Sequence, residues 1–168
     1  MTLERTGRTS KSIRVLVVDD FAPWHGFVST TLRKEPELEI VGNASDGLEA
    51  VQQAQQLRPE LILMDIGLPT LNGIEAARRI TEVSPASKIL FLSENRSVDV
   101  AEKALSNGAS GYVVKSDAAG ELLPAIKAVL EGKRFISASL AGHFLVATTL
   151  TTTQALLSWM VTLISGIR

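Results

Sequence analysis

The sequence contains no cysteine and only two histidines among its 168 residues. Without cysteine the chain forms neither disulfides nor thiolate metal sites, and two histidines are too few for a zinc site built without carboxylates. An excess of one charge is also lacking, because 17 basic and 18 acidic side chains leave a formal net charge of −1. Nucleic-acid-binding domains usually carry a basic patch. Direct binding of nucleic acid is therefore not expected.

The chain also lacks an apolar leader at its N-terminus. Residues 1–12 are polar and include Arg5, Arg8 and Lys11, without the apolar core of a secretory signal. We therefore expect a disordered N-terminus at 1–12 and a cytoplasmic protein. The length suits a single domain with a substantial core.

Four apolar runs, each typical of a buried strand, end in a polar side chain. The runs comprise residues 15–18, 61–64, 89–92 and 112–114. The side chains that follow them are Asp19 with Asp20, Asp65, Ser93 and Lys115. Ligands of open parallel α/β sheets bind outside the carboxyl ends of the strands. We therefore expect three carboxylates, a hydroxyl and an ammonium group to converge on one crevice.

Apolar periodicity, punctuated by proline and glycine, divides residues 13–132 into five strands that alternate with five helices. The predicted strands are 13–19, 38–42, 61–65, 89–92 and 111–114, and the predicted helices are 23–34, 46–57, 73–83, 99–107 and 122–131. In the first helix, the side chains expected to face inward are Trp24, Phe27, Val28, Thr31 and Leu32. Alternation of this kind implies right-handed crossovers and helices on both faces of a parallel sheet. The sequence therefore predicts a doubly wound α/β domain.

Three carboxylates at one edge of a sheet repel one another, so at neutral pH they require a proton or a cation between them. Mg²⁺ suits such a crevice, because it binds through a few carboxylates, keeps several waters and accepts phosphoryl oxygens. Lys115 supplies a compact positive charge for a phosphoryl oxygen, and Ser93 can donate a hydrogen bond to a second one. With Asp65 central, the set is typical of a carboxylate nucleophile that forms an aspartyl phosphate.

Each polar residue taken alone has a simpler interpretation. An aspartate after a strand is most often a helix N-cap, and Ser93 or Lys115 alone would be a turn residue or a solvated lysine. The order Asp-Asp, Asp, Ser, Lys at four strand ends rarely arises by chance, which favours the joint interpretation. His25 and His143 lack the helical-bundle surroundings of a phosphotransfer histidine, so we interpret them as ordinary helix or surface residues.

Residues 13 to about 132 resemble a response-regulator receiver domain, the CheY-like module of two-component systems. Its fold is flavodoxin-like, with a five-stranded sheet of order 2-1-3-4-5. In that family an acidic pair follows strand one, an aspartate within D-x-x-x-P-x-x-x-G follows strand three, and a serine or threonine and a lysine follow strands four and five. The matching residues here are Asp19, Asp20, Asp65, Pro69, Gly73, Ser93 and Lys115.

The resemblance implies a role for each matching residue. Asp65 is expected to accept a phosphoryl group from a phosphohistidine on a sensor histidine kinase or a phosphotransfer protein. Asp19, Asp20 and Asp65 are expected to hold Mg²⁺, with the backbone carbonyl of Gly67 completing its shell. Receivers of this kind are not enzymes beyond their own phosphorylation and dephosphorylation.

Tyr112 matches the aromatic switch position of the family, three residues before Lys115. A shift of Ser93 toward the phosphoryl group would vacate space that Tyr112 fills by turning inward. The surface around residues 122–131 would then change. A lone tyrosine in a strand is, by itself, more often part of the core.

Segments 108–117 and 132–137 are similar to receivers of the NarL/FixJ (LuxR-type) subfamily, which precede a helix-turn-helix domain. Ser116 follows Lys115 where many relatives have proline, which puts the cis peptide typical of that position in question. The stretch after Gly132 is too short for that DNA-binding domain and does not match its recognition helix. We therefore assign residues 133–168 to a linker and an apolar C-terminal tail without a recognisable output domain.

Residues 144–167 carry no charge, which leaves three interpretations of the tail. Thr151 and Gln154 form a capping box that opens a short apolar helix over residues 156–167. At 1.5 Å per residue this helix spans about 18 Å, against a hydrocarbon core of about 30 Å. A helix that docks on the domain or on a second subunit therefore fits better than a membrane span. Truncation of a longer chain is the third interpretation.

The leading hypothesis is a phosphoacceptor response regulator that switches a protein-interaction or homodimerisation surface. One alternative is a truncated transcription regulator that lost its DNA-binding domain. A second alternative is a Mg²⁺-dependent aspartyl-phosphate phosphatase, but such enzymes place another aspartate two residues beyond the nucleophile, where this chain has Gly67.

Overall fold

The structure is a computed structural model of the chain and describes residues 12–142. Strands and helices alternate along this range. The strands are β1 (Ile13–Val18), β2 (Leu38–Ala44), β3 (Leu61–Met64), β4 (Lys88–Ser93), β5 (Gly111–Val114) and β6 (Phe135–Ile136). The helices are α1 (Ala22–Leu32), α2 (Gly47–Leu57), α3 (Gly73–Val83), α4 (Val98–Ser106) and α5 (Ala118–Leu130), the last preceded by a 3-10 turn at Lys115–Asp117. The predictions for residues 1–11, His143 and the apolar tail fall outside the described residues.

The strands form one parallel sheet in the order β2-β1-β3-β4-β5-β6. The predicted order is confirmed for the first five strands, whereas the prediction of a five-stranded sheet is wrong. The sixth strand, β6, contains only two residues, and a run that short carries no readable periodicity. It is held by contacts remote in sequence, among them the Ser137 N–H, which donates to the Tyr112 carbonyl at 2.9 Å. The strand lies beyond residue 132, where the sequence places the end of the domain.

The central strand β3 is buried on both faces, as its unbroken apolar run predicts. Leu61 and Leu63 belong to one core, which α1 and α5 cover. Ile62 and Met64 belong to the other, which α2, α3 and α4 cover. Helices therefore lie on both faces of the sheet, and the predicted doubly wound α/β architecture is confirmed.

Side-chain caps set the starts of two helices beside the carboxyl edge of the sheet. The Asp46 carboxylate accepts from the Glu49 N–H at 2.9 Å and starts α2 as predicted. Asn72 does the same for α3, accepting from the Glu75 N–H at 3.0 Å. By contrast, α5 begins at Ala118 rather than at the predicted residue 122, because a helical start without apolar periodicity gives no signal in the sequence.

Two further features of the described range bear on the predictions. No peptide bond among residues 12–142 is cis, so the bond between Lys115 and Ser116 is trans. No helix within the same residues combines the length and the apolar character needed to cross a membrane. The uncharged stretch 144–167 lies outside this range.

Candidate functional site

The acidic residues meet because β1 and β3 are paired in parallel with Val18 opposite Met64. The residues that follow, Asp19 and Asp65, therefore leave the sheet side by side. The Asp65 N–H donates to the Val18 carbonyl at 2.9 Å, which continues the ladder by one residue beyond the strand. Asp19 is tied to β2 in the same manner, through a 3.0 Å bond from its N–H to the Ala44 carbonyl.

Carboxylate oxygens of Asp19, Asp20 and Asp65 all lie within 4.8 Å of one another. Asp19 is buried, Asp65 is half-buried and Asp20 is exposed. Burial raises the pKa of Asp65, and the charge of Asp19 raises it further. The ammonium of Lys115 and the backbone N–H groups of Ile66 and Gly67 oppose this rise. The carboxylates of Asp19 and Asp65 therefore repel each other, as expected from their sequence positions.

Lys115 is buried and its ammonium lies inside the acidic cluster. The Nζ atom is 2.6 Å from Asp19 Oδ2 and 3.8 Å from Asp65 Oδ1. Among the described residues, no other Lys, Arg or His nitrogen lies within 4.0 Å of these three carboxylates. Three negative charges against one positive charge leave two uncompensated. The donor set, three carboxylates open to solvent at Asp20, thus fits a hard divalent cation in both charge and ligand type.

Ser93 ends β4 beside the acidic cluster. Because β3 and β4 are parallel with Met64 opposite Phe91, Asp65 and Ser93 emerge from the same edge of the sheet. The Ser93 hydroxyl is buried and accepts a 3.2 Å hydrogen bond from the Asn95 N–H. A hydroxyl that accepts this bond keeps its own proton for another acceptor.

Tyr112 lies one strand further along the sheet and is fully buried. Its hydroxyl donates to the Asn95 carbonyl at 2.7 Å, in the loop that follows Ser93. Burial raises the pKa of the Tyr112 hydroxyl, and the nearby Ser93 hydroxyl lowers it to a smaller extent. The two predicted switch residues therefore contact the same short loop between β4 and α4, and the tyrosine ring already points inward.

Two glycines let the loop after Asp65 pack closely against the site. A Cβ on Gly73 would lie 2.1 Å from the Asp65 carbonyl oxygen, and one on Gly47 would lie 1.9 Å from the Leu71 carbonyl oxygen. The Gly73 N–H instead donates to the Ile66 carbonyl at 2.9 Å. The glycine of the D-x-x-x-P-x-x-x-G pattern is thus required because α3 starts in contact with the backbone of the aspartate.

Two residues of α1 contact the site, although the sequence predicts Trp24 in the core and His25 as an ordinary helix or surface residue. His25 bridges two elements, with Nε2 2.6 Å from the Asp19 carbonyl oxygen and Nδ1 2.9 Å from Asn43 Oδ1. The Trp24 ring lies beneath the Lys115 ammonium, 4.9 Å from ring centroid to Nζ. No local pattern signals either contact, because both depend on how α1 packs against β2 and β5.

The whole set, an acidic triad with one lysine, a serine and an inward tyrosine at the carboxyl edge of a parallel sheet, corresponds to a known family. The family model for the response regulator receiver domain matches residues 15–127. The chain belongs to the response regulator receiver family. This confirms the resemblance on which the sequence prediction was based.

Receivers of LuxR-family regulators are among the most similar proteins. The crystal structure of a LuxR-family two-component response regulator from Aurantimonas sp. SI85-9A1 superposes with a TM-score of 0.78 at 33% identity, covering 82% of this chain and 99% of that one. The transcriptional regulatory protein DegU of Brevibacillus brevis is 36% identical over 124 residues, or 74% of this chain. LiaR of Bacillus subtilis is 34% identical over 133 residues, or 79%. The matched regions make up 52% and 63% of these two curated relatives.

Proposed function

We propose that this receiver is a phosphoacceptor, and that Asp65 takes a phosphoryl group from a phosphohistidine on a sensor histidine kinase or a phosphotransfer protein. The observation that carries the proposal is the cluster of three carboxylates within 4.8 Å around a single ammonium. Asp19, Asp20 and Asp65, with the Gly67 carbonyl, would hold Mg²⁺. When bound, the cation neutralises the excess negative charge and stabilises charge on the phosphoryl oxygens.

We assign the nucleophile to Asp65 rather than Asp19 because Asp65 lies farther from the Lys115 ammonium, while Asp20 lies at the exposed rim of the cluster. The Asp19 carboxylate already accepts from the Phe21 N–H at 2.9 Å and from Lys115 at 2.6 Å. Asp65 Oδ1 lies 3.8 Å from the same ammonium, and its side chain is 13% exposed. In the proposed step a carboxylate oxygen of Asp65 bonds to phosphorus, the P–N bond of the donor breaks, and its electron pair leaves on the imidazole nitrogen.

Lys115 and Ser93 are assigned the new oxygens of the aspartyl phosphate. The ammonium already lies between Asp19 and Asp65, so a short movement of the side chain lets it bond one phosphoryl oxygen. The Ser93 hydroxyl, which at present accepts from the Asn95 N–H, would donate to another. Because Tyr112 bonds to the carbonyl of that same Asn95, a shift of Ser93 is passed directly to the tyrosine.

The proposed output is a change in the surface formed by α4, β5 and α5, read by a partner protein or by a second copy of the chain. Phosphorylation shifts the two arrangements of this surface only by its differential affinity for them, a few kcal/mol in typical switches. A phosphoryl mimic such as beryllium fluoride should therefore raise the mass seen by light scattering if the partner is a second copy. An unchanged mass, and no effect of Ser93→Ala on it, would indicate a foreign partner.

Two alternatives are weighed against this function. Curated relatives such as DegU and LiaR are named transcriptional regulatory proteins, so in the first alternative the receiver is one part of such a regulator. The Asp65 chemistry is then the same and only the output differs. A phosphatase would need a general acid two residues beyond Asp65. That position is Gly67, which has no side chain to act as an acid.

Intact-mass spectrometry after incubation with acetyl phosphate and Mg²⁺ tests the proposal. The wild-type chain should gain one phosphoryl group that hydroxylamine removes, and Asp65→Asn should gain none. Asp99→Asn, an exposed carboxylate on α4, is the matched control and should still be labelled. Labelling of Asp65→Asn at the wild-type level would overturn the assignment.

Mg²⁺ binding is tested separately, without any phosphodonor. A ligand that binds only the folded state stabilises it by mass action. Millimolar Mg²⁺ should therefore raise the melting temperature of the wild-type chain, and Asp20→Asn should lose most of that rise. An equal rise in Asp20→Asn would place the cation elsewhere.

A further inference from the structure

Lys115 makes a third contact besides its two carboxylates, and that contact is with an aromatic face. The Nζ atom lies 4.9 Å from the centroid of Trp24, on the first turn of α1. This distance is within the range of cation–π attraction, which is strongest for tryptophan and grows as the cation is withdrawn from water. The ammonium is nearly excluded from water, since the Lys115 side chain is only 6% exposed.

The indole ring is held in place by its own neighbour. Phe27, one turn along α1, packs edge-on against Trp24 with a centroid distance of 4.8 Å and an interplanar angle of 83°. Edge-to-face packing is a favourable arrangement of aromatic rings and stabilises this orientation. This packing favours the orientation in which Trp24 presents its electron-rich face to the ammonium.

A cavity beside this contact offers the ammonium an alternative position. A cavity of about 340 Å³ is lined by Trp24, Glu94, Arg96, Val114, Lys115 and Ser116. Lysine is a flexible four-carbon side chain whose charge follows the best available partner. The exposed carboxylate of Glu94, which also lines the cavity, offers such a partner. Trp24 and Lys115 line this cavity together.

We propose that Trp24 is a positioning residue for Lys115: its ring face holds the ammonium against Asp19 and Asp65, so that it is in place when a phosphoryl group arrives. The inference rests on the proposed phosphoacceptor role of Asp65. Trp24 does not contact the reacting atoms, and it acts only through Lys115. Removal of the electron-rich face should therefore slow phosphorylation, because the ammonium spends more time in the cavity toward Glu94.

Fluorinated tryptophan tests the electrostatic part of the contact without changing the packing. The chain has two tryptophans, so Trp159→Phe leaves Trp24 as the only site of incorporation. Each added fluorine weakens the negative charge of the ring face at nearly constant shape. We expect the initial rate of labelling by acetyl phosphate to fall stepwise, by about fivefold for the most fluorinated ring, with little change in melting temperature.

Substitution provides a second arm with an internal rescue. Trp24→Phe keeps an aromatic face, whereas Trp24→Leu keeps only apolar bulk. Labelling should therefore be faster in the phenylalanine variant than in the leucine variant, even where their melting temperatures agree. Equal labelling rates in all variants and all fluorinated forms, in a wild-type chain that is itself labelled, would overturn the inference and leave the proposed function intact.

A third arm does not depend on phosphorylation, so failure of the proposed function can be told apart from failure of this inference. In the Trp159→Phe background, Lys115→Met should shift the fluorescence emission of Trp24, because a charge above the ring is removed. Lys127→Met, which removes an exposed lysine on α5, is the matched control and should leave the emission unchanged. Identical emission in both variants would show that the ammonium does not lie over the ring.

Discussion

Replacement of Ser137 by alanine offers a direct test of the sixth strand. Ser137 directly follows β6 and is fully buried. Its hydroxyl donates to Glu121 Oε2 at 2.5 Å and accepts from the Val114 N–H at 2.8 Å. The side chain thus joins β5, α5 and the segment after β6 through two hydrogen bonds, both of which alanine removes.

The expected loss of stability follows from the hydrogen bonds that each partner of Ser137 keeps in the variant. Val114 is a buried strand residue, and its N–H would be left without the acceptor that it has in the described structure. A buried donor that loses its partner costs about 1–3 kcal/mol. Glu121 is less affected, because Oε1 still accepts from the Ala138 N–H at 3.0 Å; its loss is about 1 kcal/mol. Ser137→Ala should therefore lower the free energy of unfolding by about 2–4 kcal/mol.

Urea unfolding of the full chain, followed by circular dichroism, measures this loss. The matched control is Ser139→Ala, whose hydroxyl bonds to Asp117 Oδ2 at 2.5 Å but is exposed. Exposed substitutions of this kind usually change stability by less than about 0.5 kcal/mol. If the two variants lose the same amount, or if Ser137→Ala matches the wild type, the hydrogen-bonded attachment of β6 is not what stabilises this edge of the sheet.

Three further predictions concern the loops of the site. Burial raises the pKa of Asp65 above its ordinary 3.8, so near and above that pH the folded state binds more protons than the unfolded state. The free energy of unfolding therefore falls as pH rises from 3.8 through the raised pKa of Asp65. In Mg²⁺-free buffer, Asp65→Asn should thus melt higher than wild type at neutral pH but not below pH 3.8. Gly73→Ala places a Cβ 2.1 Å from the Asp65 carbonyl oxygen and should lower the free energy of unfolding, measured in urea, by at least about 2 kcal/mol. Its control, Gly120→Ala, meets open space in α5 and should raise that free energy by up to about 1 kcal/mol. Equal effects of the two substitutions would refute the close approach at Gly73. Thr70 has a φ of 62°, so Thr70→Asn should gain about 0.5–1 kcal/mol by the same measurement, and a loss would show that the threonine side chain compensates for its strained backbone.

The local pattern of the sequence determined most of the sheet and the composition of the site. An apolar run such as residues 61–64 has to be buried on both faces, and a charge at its end cannot follow it into the core. Asp65 therefore lies at the sheet edge whatever the rest of the chain does. Helix caps such as Asp46 act over only three residues, so they too can be predicted from the local sequence.

Tertiary structure decided the contacts whose partners are remote in sequence. Lys115 and Asp19 are 96 residues apart, and only the parallel pairing of the strands brings the ammonium to 2.6 Å from one carboxylate and 3.8 Å from another. The packing of α1 against the sheet places Trp24 under that ammonium. The sixth strand was missed because two residues carry no period, and its register is set by Ser137 against β5 and α5. Two residues have too little intrinsic strand propensity to form β6 by themselves, so the surface against which they pack decides that the strand forms.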